Sequence, residues 1–163
     1  MSPDEDRFQS ILIVAGMHRS GTSSVAGLYH LMGADIGRSV MPPADDNPKG
    51  FFENENIVFA HDQLLASLGR SWDMDSPLPE EWLAAPETGM AFKKLCGILE
   101  FEFDPAQPVW MVKDPRVSLL LPLWTRIAKA MGRQIRVVTL LRHPEEVATS
   151  LLAREGMLFE LGV

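Results

Sequence analysis

The residues from Gly16 to Ser23, with the sequence GMHRSGTS, have the composition and spacing of a phosphate-binding loop. Four residues separate Gly16 from Gly21, and Thr22 and Ser23 follow the second glycine. A Walker A loop has the pattern G-x-x-x-x-G-K-[S/T], in which backbone N–H groups cradle the phosphates and the lysine reaches the terminal ones. Because Thr22 occupies the lysine position, this loop must obtain its positive charge from another residue.

The missing lysine argues against a nucleoside triphosphate bound with Mg²⁺. That ligand uses the loop lysine and an aspartate on a separate strand that helps to hold the metal. Asp114 is no obvious candidate for this aspartate, because it follows Lys113 and begins the sequence DPR. Arg19 can replace the lost charge with a planar guanidinium group. The sequence therefore favours a phosphate-like ligand that has no γ-phosphate and requires no metal.

Three apolar segments predict the strands that would position this loop. They span Ser10–Gly16, Pro108–Asp114 and Gln134–Arg142, and a helical pattern follows each of them. In the first of these helices, apolar residues recur with the spacing of one helix face, at Val25, Leu28, Tyr29 and Met32. Alternating strands and helices predict a three-layer α/β/α fold with a central parallel sheet.

Cationic residues lie at the end of each predicted strand or shortly after it. Their positions are Arg19, Lys113, Arg116 and Arg142. Because parallel strands end at the same edge of a sheet, these side chains are expected to surround one cleft that binds anions. The alternative is local neutralisation, since Asp114 adjoins Lys113 and Glu145 and Glu146 lie close to Arg142.

The overall composition limits the classes of function. The 163 residues carry a net charge of −7, which argues against general binding of nucleic acids or anionic membranes. No apolar run is long enough for a transmembrane segment, and the acidic N-terminus lacks a signal-peptide pattern. A single cysteine, Cys96, excludes an intrachain disulfide. We expect one cytoplasmic domain over residues 1–163.

Four motifs together resemble those of the PAPS-dependent sulfotransferases. The motifs are GMHRSGTSS, NPKGFFEN, VKDPR and LLRHPEEVATSLL, and the resemblance covers Ile11 to Gly156. Within that family, the chain resembles the bacterial branch that is related to tyrosylprotein and carbohydrate sulfotransferases. The resemblance implies a P-loop NTPase-like fold and transfer of a sulfuryl group from PAPS (3′-phosphoadenosine 5′-phosphosulfate) to a hydroxyl or amine. Adenosine 3′,5′-bisphosphate would be the product, and no metal would be needed.

The resemblance also implies roles for individual residues. The 5′-phosphosulfate would be held by Arg19, Ser20, Gly21, Thr22 and Ser23. The 3′-phosphate would be held by Arg142 and Ser150. Lys113 would lie near the transferred group, and Lys113 and Arg19 would stabilise the charge that develops on the leaving oxygen.

Glu53 is the residue that the resemblance implies as the general base, with Glu55 as the second candidate. Cytosolic small-molecule sulfotransferases use a histidine directly after the strand-end lysine, whereas this chain has Asp114 there. His61 falls on the apolar side of a predicted helix. We interpret it as a core residue, although a place in the acceptor cleft is the alternative.

Two other functions remain open from the sequence. One is a P-loop kinase for a nucleoside or small molecule that takes its lysine from elsewhere. The other is a non-catalytic nucleotide-binding module. The resemblance motivates it, because related enzymes usually continue past the last helix with a segment that completes the nucleotide pocket, and we expect that segment to be missing here. A homo-oligomer in which a second subunit supplies that wall is a further alternative. The sequence does not choose among a small-molecule, carbohydrate or peptide acceptor.

Overall fold

The protein folds as three parallel strands with helices on both faces of the sheet. The computed structural model describes residues 9–44, 47–73 and 76–155. A short 3₁₀ helix at Trp82–Ala84 precedes α3. In chain order, the described elements are β1 (Ser10–Ala15), α1 (Thr22–Leu31), α2 (Glu55–Ser67), α3 (Pro86–Glu102), β2 (Val109–Lys113), α4 (Val117–Ala130), β3 (Gln134–Thr139) and α5 (Pro144–Glu155).

Strand β1 lies at the centre of the sheet, whose strand order is β2-β1-β3. Ser10 is opposite Val109 in β2 and Gln134 in β3, so the three strands start at the same level. All six residues of β1 are buried, as expected for a strand covered on both faces. The parallel α/β architecture predicted from the sequence is confirmed.

Alternate residues of β1 face the two halves of the core. Ile11 and Ile13 belong to the larger half, which contains residues of α2, α3 and α4. Leu12 and Val14 belong to the smaller half under α1. The central strand is therefore covered by helices on both faces, and Lys113 and the loop before α1 lie where the parallel strands end.

The predicted apolar face of α1 is only partly correct. Ala26 is fully buried, whereas Leu28 is 61% exposed and Met32 is 81% exposed. The small residues Ala26 and Gly27 form the side of α1 that is buried, together with Thr22. Small residues let a helix approach its neighbours closely. Val25 and Tyr29 pack half-buried against the core beside them, whereas Leu28 and Met32 remain outside it.

Strand β3 is more exposed and shorter than the sequence predicted. It ends at Thr139 rather than at Arg142, and Val137 is 41% exposed. The following residues lead into α5, which begins at Pro144 as expected. Gly156, the last residue of the sulfotransferase-like region of the sequence, lies outside the described residues.

A buried polar cluster fixes the N-terminus of α2. The Asn54 side chain accepts hydrogen bonds from the backbone N–H groups of Asn56 and Ile57, and therefore caps the helix. Its amide nitrogen donates to Glu102 Oε2 at 2.6 Å. Burial raises the pKa of Glu102, but the hydrogen bonds from Asn54, Asn56 and Ser39 outweigh it, and the net pKa lies below its usual value.

We predict that Asn54→Ala lowers the free energy of unfolding by about 1–2 kcal/mol, because the helix loses its cap and Glu102 loses a donor. Urea denaturation followed by tryptophan fluorescence measures the change. Asn54→Ser, which keeps an oxygen for the cap, should recover part of the loss. Equal stability of Asn54→Ala and the wild type would contradict the role assigned to this cluster.

Candidate functional site

The loop between β1 and α1 has the geometry of a phosphate-binding turn. Gly16 has φ of 151°, and a Cβ atom there would lie 2.8 Å from the carbonyl oxygen of Leu140. Arg19 and Gly21 also have positive φ angles, of 65° and 90°. Gly21 is the N-cap of α1 and provides no side-chain cap. The first backbone N–H groups of α1 are consequently left for other acceptors, such as the oxygens of an anion.

A cavity of about 230 Å³ lies in front of this loop. We call it the transfer cavity. It is bounded by the N-terminus of α1, the end of β2 and the segment that precedes α2. The polar residues of its lining are His18, Arg19, Thr22, Ser23, Asn47, Glu53, Lys113 and Arg116. Three separate parts of the chain thus bring most of the predicted catalytic and loop residues to one place.

Lys113 and Glu53 form a buried ion pair at the back of the transfer cavity. The Lys113 Nζ donates a short hydrogen bond to Glu53 Oε1 and a second bond of 3.2 Å to Ser23 Oγ. Burial raises the pKa of Glu53 above its usual value, and the nearby Lys113 opposes that rise. Glu55, the second candidate for the base, is exposed and does not line the cavity.

The residues predicted to hold a 3′-phosphate meet the loop through Arg19. Arg19 Nε donates to Ser150 Oγ at 2.8 Å, and Arg142 Nη1 donates to the backbone oxygen of Arg19 at 2.9 Å. Arg142 also pairs with Glu146 at 2.8 Å, so the local neutralisation considered from the sequence does occur there. Ser150, on α5, and Arg142, in the segment between β3 and α5, therefore both lie beside the loop.

The four cations of the sheet edge differ in their partners. Lys113 pairs with Glu53 rather than with the adjacent Asp114. Arg116 pairs with Asp114 and with Asp62. Among the described residues, Arg19 is the one cation of the four without a carboxylate partner. The positive charge available to an anion is therefore concentrated at the loop.

Asp114 points away from the transfer cavity into a buried hydrogen-bond network. The Trp124 indole N–H donates to His61 Nε2 at 3.0 Å, so this nitrogen must be the acceptor. The other ring nitrogen, Nδ1, then carries the proton and donates to Asp114 Oδ2 at 2.7 Å. Both His61 and Asp114 are fully buried. The interpretation of His61 as a core histidine is confirmed.

This network explains why a carboxylate follows Lys113 without neutralising it. Burial raises the pKa of Asp114, but the hydrogen bond from His61 and the charge of Arg116 outweigh burial and lower it to about 2. Asp114 also accepts a hydrogen bond from the backbone N–H of Arg116 at 3.0 Å. The turn after β2 is thereby fixed, and Lys113 keeps its direction toward Glu53.

Sequence reasoning missed the acid that binds Arg116 and the contact between His18 and Trp72. Asp62 comes from the middle of α2, where nothing in the local pattern distinguishes it from a solvated acid. The rings of His18 and Trp72 have centroids 4.6 Å apart. A ring contact between residues this far apart in the chain leaves no mark on the local sequence pattern.

Comparison of the chain with protein-family models, with curated proteins and with solved structures gives no significant match. The resemblance to sulfotransferases therefore rests on the four sequence motifs. Among the described residues, no helix is long and apolar enough to cross a membrane. The same residues include no group of three or more histidine, cysteine or acidic side chains arranged to hold a metal ion.

We predict that Asp114→Asn lowers the free energy of unfolding by about 2 kcal/mol at pH 7. The low pKa of Asp114 stabilises the folded state above the unfolded pKa near 4, and this contribution is lost as the pH falls toward 2. The difference between variant and wild type should therefore shrink over that range in urea denaturation. Asp62→Asn is the matched control, because Asp62 binds the same arginine but is 45% exposed. It should change stability less.

Proposed function

We propose that the protein is a PAPS-dependent sulfotransferase with a P-loop NTPase-like fold of the sulfotransferase type. The observation that supports this most strongly is the meeting of Ser23, Glu53 and Lys113 in one cavity, with Arg19 beside them. These are the residues to which the motifs assign the donor loop, the general base and the cation near the transferred group. They come from three distant parts of the sequence.

In this proposal the loop binds the 5′-phosphosulfate of PAPS. Backbone N–H groups at the start of α1 and the guanidinium of Arg19 neutralise its charge. Arg142 and Ser150 bind the 3′-phosphate, because both contact Arg19 and so lie next to the loop. Thr22 in place of a lysine suits a donor that has no γ-phosphate.

Glu53 acts as the general base on the acceptor hydroxyl or amine. The pKa of Glu53 is raised toward physiological pH, and a general base transfers protons best when its pKa lies near the working pH. Lys113, hydrogen-bonded to both Glu53 and Ser23, is positioned to stabilise the charge on the bridging oxygen as the bond to sulfur breaks. The proposed reaction uses no metal.

Ligand-induced thermal stabilisation distinguishes this function from its rivals. We predict that adenosine 3′,5′-bisphosphate at 100 times its Kd raises Tm by roughly 5–10 °C without metal, and that ADP and ATP–Mg²⁺ raise it less. Arg19→Ala should abolish the shift. Arg38→Ala, which changes an exposed arginine outside the transfer cavity, should retain it.

Three results would contradict the proposal. Stabilisation by ATP–Mg²⁺ alone would favour a kinase. An unchanged bisphosphate shift in Arg19→Ala would show that the loop does not hold the ligand. If the wild type binds the bisphosphate but transfers sulfate to no member of a broad set of alcohols and amines, the protein is better described as a non-catalytic module.

Glu53→Gln separates binding from transfer. We predict that bisphosphate binding is retained or tightened, because a carboxylate near the anion is removed, while transfer falls by at least about 100-fold because the base is lost. The assay is transfer of radiolabelled sulfate from PAPS to any acceptor that the wild type modifies. Glu55→Gln, an exposed neighbour, is the control and should remain active. Full activity of Glu53→Gln would exclude Glu53 as the base.

A further inference from the structure

Helix α1 presents large apolar side chains to the outside. Leu28 is 61% exposed and Leu31 is 84% exposed, although Leu28 falls on the face that the sequence pattern assigned to the core. Contiguous exposed apolar surface on a water-exposed protein often marks a place where a ligand binds. Both leucines line a cavity, so they are more than isolated surface residues.

This second cavity, which we call the acceptor groove, has a volume of about 420 Å³. Its apolar lining comes from Gly27, Leu28 and Leu31 of α1 and from the ring of Phe52. Exposed Lys49 and His30 contribute to its polar lining. The volume lies within the range of roughly 300–1,000 Å³ that is typical of small-molecule sites.

The acceptor groove adjoins the transfer cavity. Ser23 and Asn47 line both cavities, and Asn47 Nδ2 donates to Ser23 Oγ at 3.4 Å across the boundary. The same Ser23 hydroxyl accepts the hydrogen bond from Lys113. A molecule whose apolar part lies in the groove can therefore direct a polar end past Ser23 toward Glu53.

Phe52 connects the two cavities through its backbone. It has φ of 56°, a conformation that costs energy for a residue with a bulky side chain and that tends to occur at functional sites. The turn brings its ring against Gly27, where an added Cβ would lie 3.0 Å from the ring. The next residue, Glu53, points into the transfer cavity. Phe52, whose ring lines the groove, and Glu53, the candidate base, are thus adjacent in sequence.

We infer that the acceptor groove binds the sulfate acceptor, and that this acceptor is a small alcohol or amine with an apolar aryl or alkyl body. The reaction in this inference rests on the proposed function. The class of molecule rests on the lining of the groove itself. The apolar lining matches the body, whereas Ser23 and Asn47 at the boundary match the reacting polar end. A carbohydrate has no comparable apolar body to bury against the two leucines and Phe52.

The bond changes follow from this placement. The acceptor oxygen or nitrogen forms a bond to the sulfur of PAPS, while the bond from sulfur to the bridging phosphate oxygen breaks. The bonding electron pair leaves with adenosine 3′,5′-bisphosphate. The acceptor proton passes to Glu53, and sulfur keeps its oxidation state throughout.

The test uses 2-naphthol as the probe and Leu28→Asn as the variant. Calorimetric titration should show saturable binding to the wild type and about 5–30-fold weaker binding to Leu28→Asn, because apolar contact is replaced by a polar side chain. Leu119→Asn, a 39% exposed leucine on α4 outside the groove, is the matched control and should bind like the wild type. Since Leu28 is mostly exposed, its variant should keep the wild-type Tm.

Transfer of radiolabelled sulfate from PAPS to 2-naphthol gives the second readout. In Leu28→Asn the KM for 2-naphthol should rise by a similar factor, while the Kd of adenosine 3′,5′-bisphosphate stays unchanged. If Leu28→Asn binds 2-naphthol as tightly as the wild type does, the inference is overturned. It is also overturned if the wild type sulfates methyl glucoside in preference to 2-naphthol. Leu28-dependent naphthol binding without any bisphosphate binding would refute the sulfotransferase function and still support the groove as an apolar ligand site.

Discussion

Lys113 and Glu53 are buried together, and most of the site depends on this pair. Removing two charges from water is costly, and the cost is repaid only when the partners meet with good geometry and further hydrogen bonds. One partner is fixed at the end of a central strand, and the other comes from an irregular segment before α2. The Asn54–Glu102 cluster on one side and the Asp114–His61 network on the other hold the two segments at the required separation.

The sequence was sufficient to predict the parallel sheet and the meeting of Arg19, Lys113 and Arg116 in one cavity, because both follow from strand order and chain direction. Arg142, which was expected in the same cleft, does not line the transfer cavity. The sequence did not reveal the partner of each cation. Lys113 stands next to Asp114 in the chain, yet Asp114 is the first residue after the strand and its carboxylate bonds to His61 and Arg116 instead. The true partner of Lys113, Glu53, is 60 positions away. Pairing at that distance is decided by tertiary packing, which the local pattern does not contain.

The orientation of α1 was the other point that periodicity could not decide. A row of apolar residues at helical spacing normally faces the core. In this helix the side buried against the sheet carries Thr22, Ala26 and Gly27, and Leu28 lies outside. A similar limit applies to Pro122, because a proline is normally tolerated only near the first turn of a helix. It lies in the second turn of α4, where the buried residues Leu120, Leu123 and Trp124 hold the helix in place.

The backbone turn at Phe52 has a mechanical consequence. A side chain held at positive φ stores strain of roughly 1–3 kcal/mol, which is small compared with the free energy of binding a small molecule. The ring and the Glu53 carboxylate are attached to neighbouring α-carbons and point into different cavities. A change in the backbone angles of Phe52 that moves the ring therefore also reorients the Glu53 carboxylate, which couples the shape of one cavity to the shape of the other.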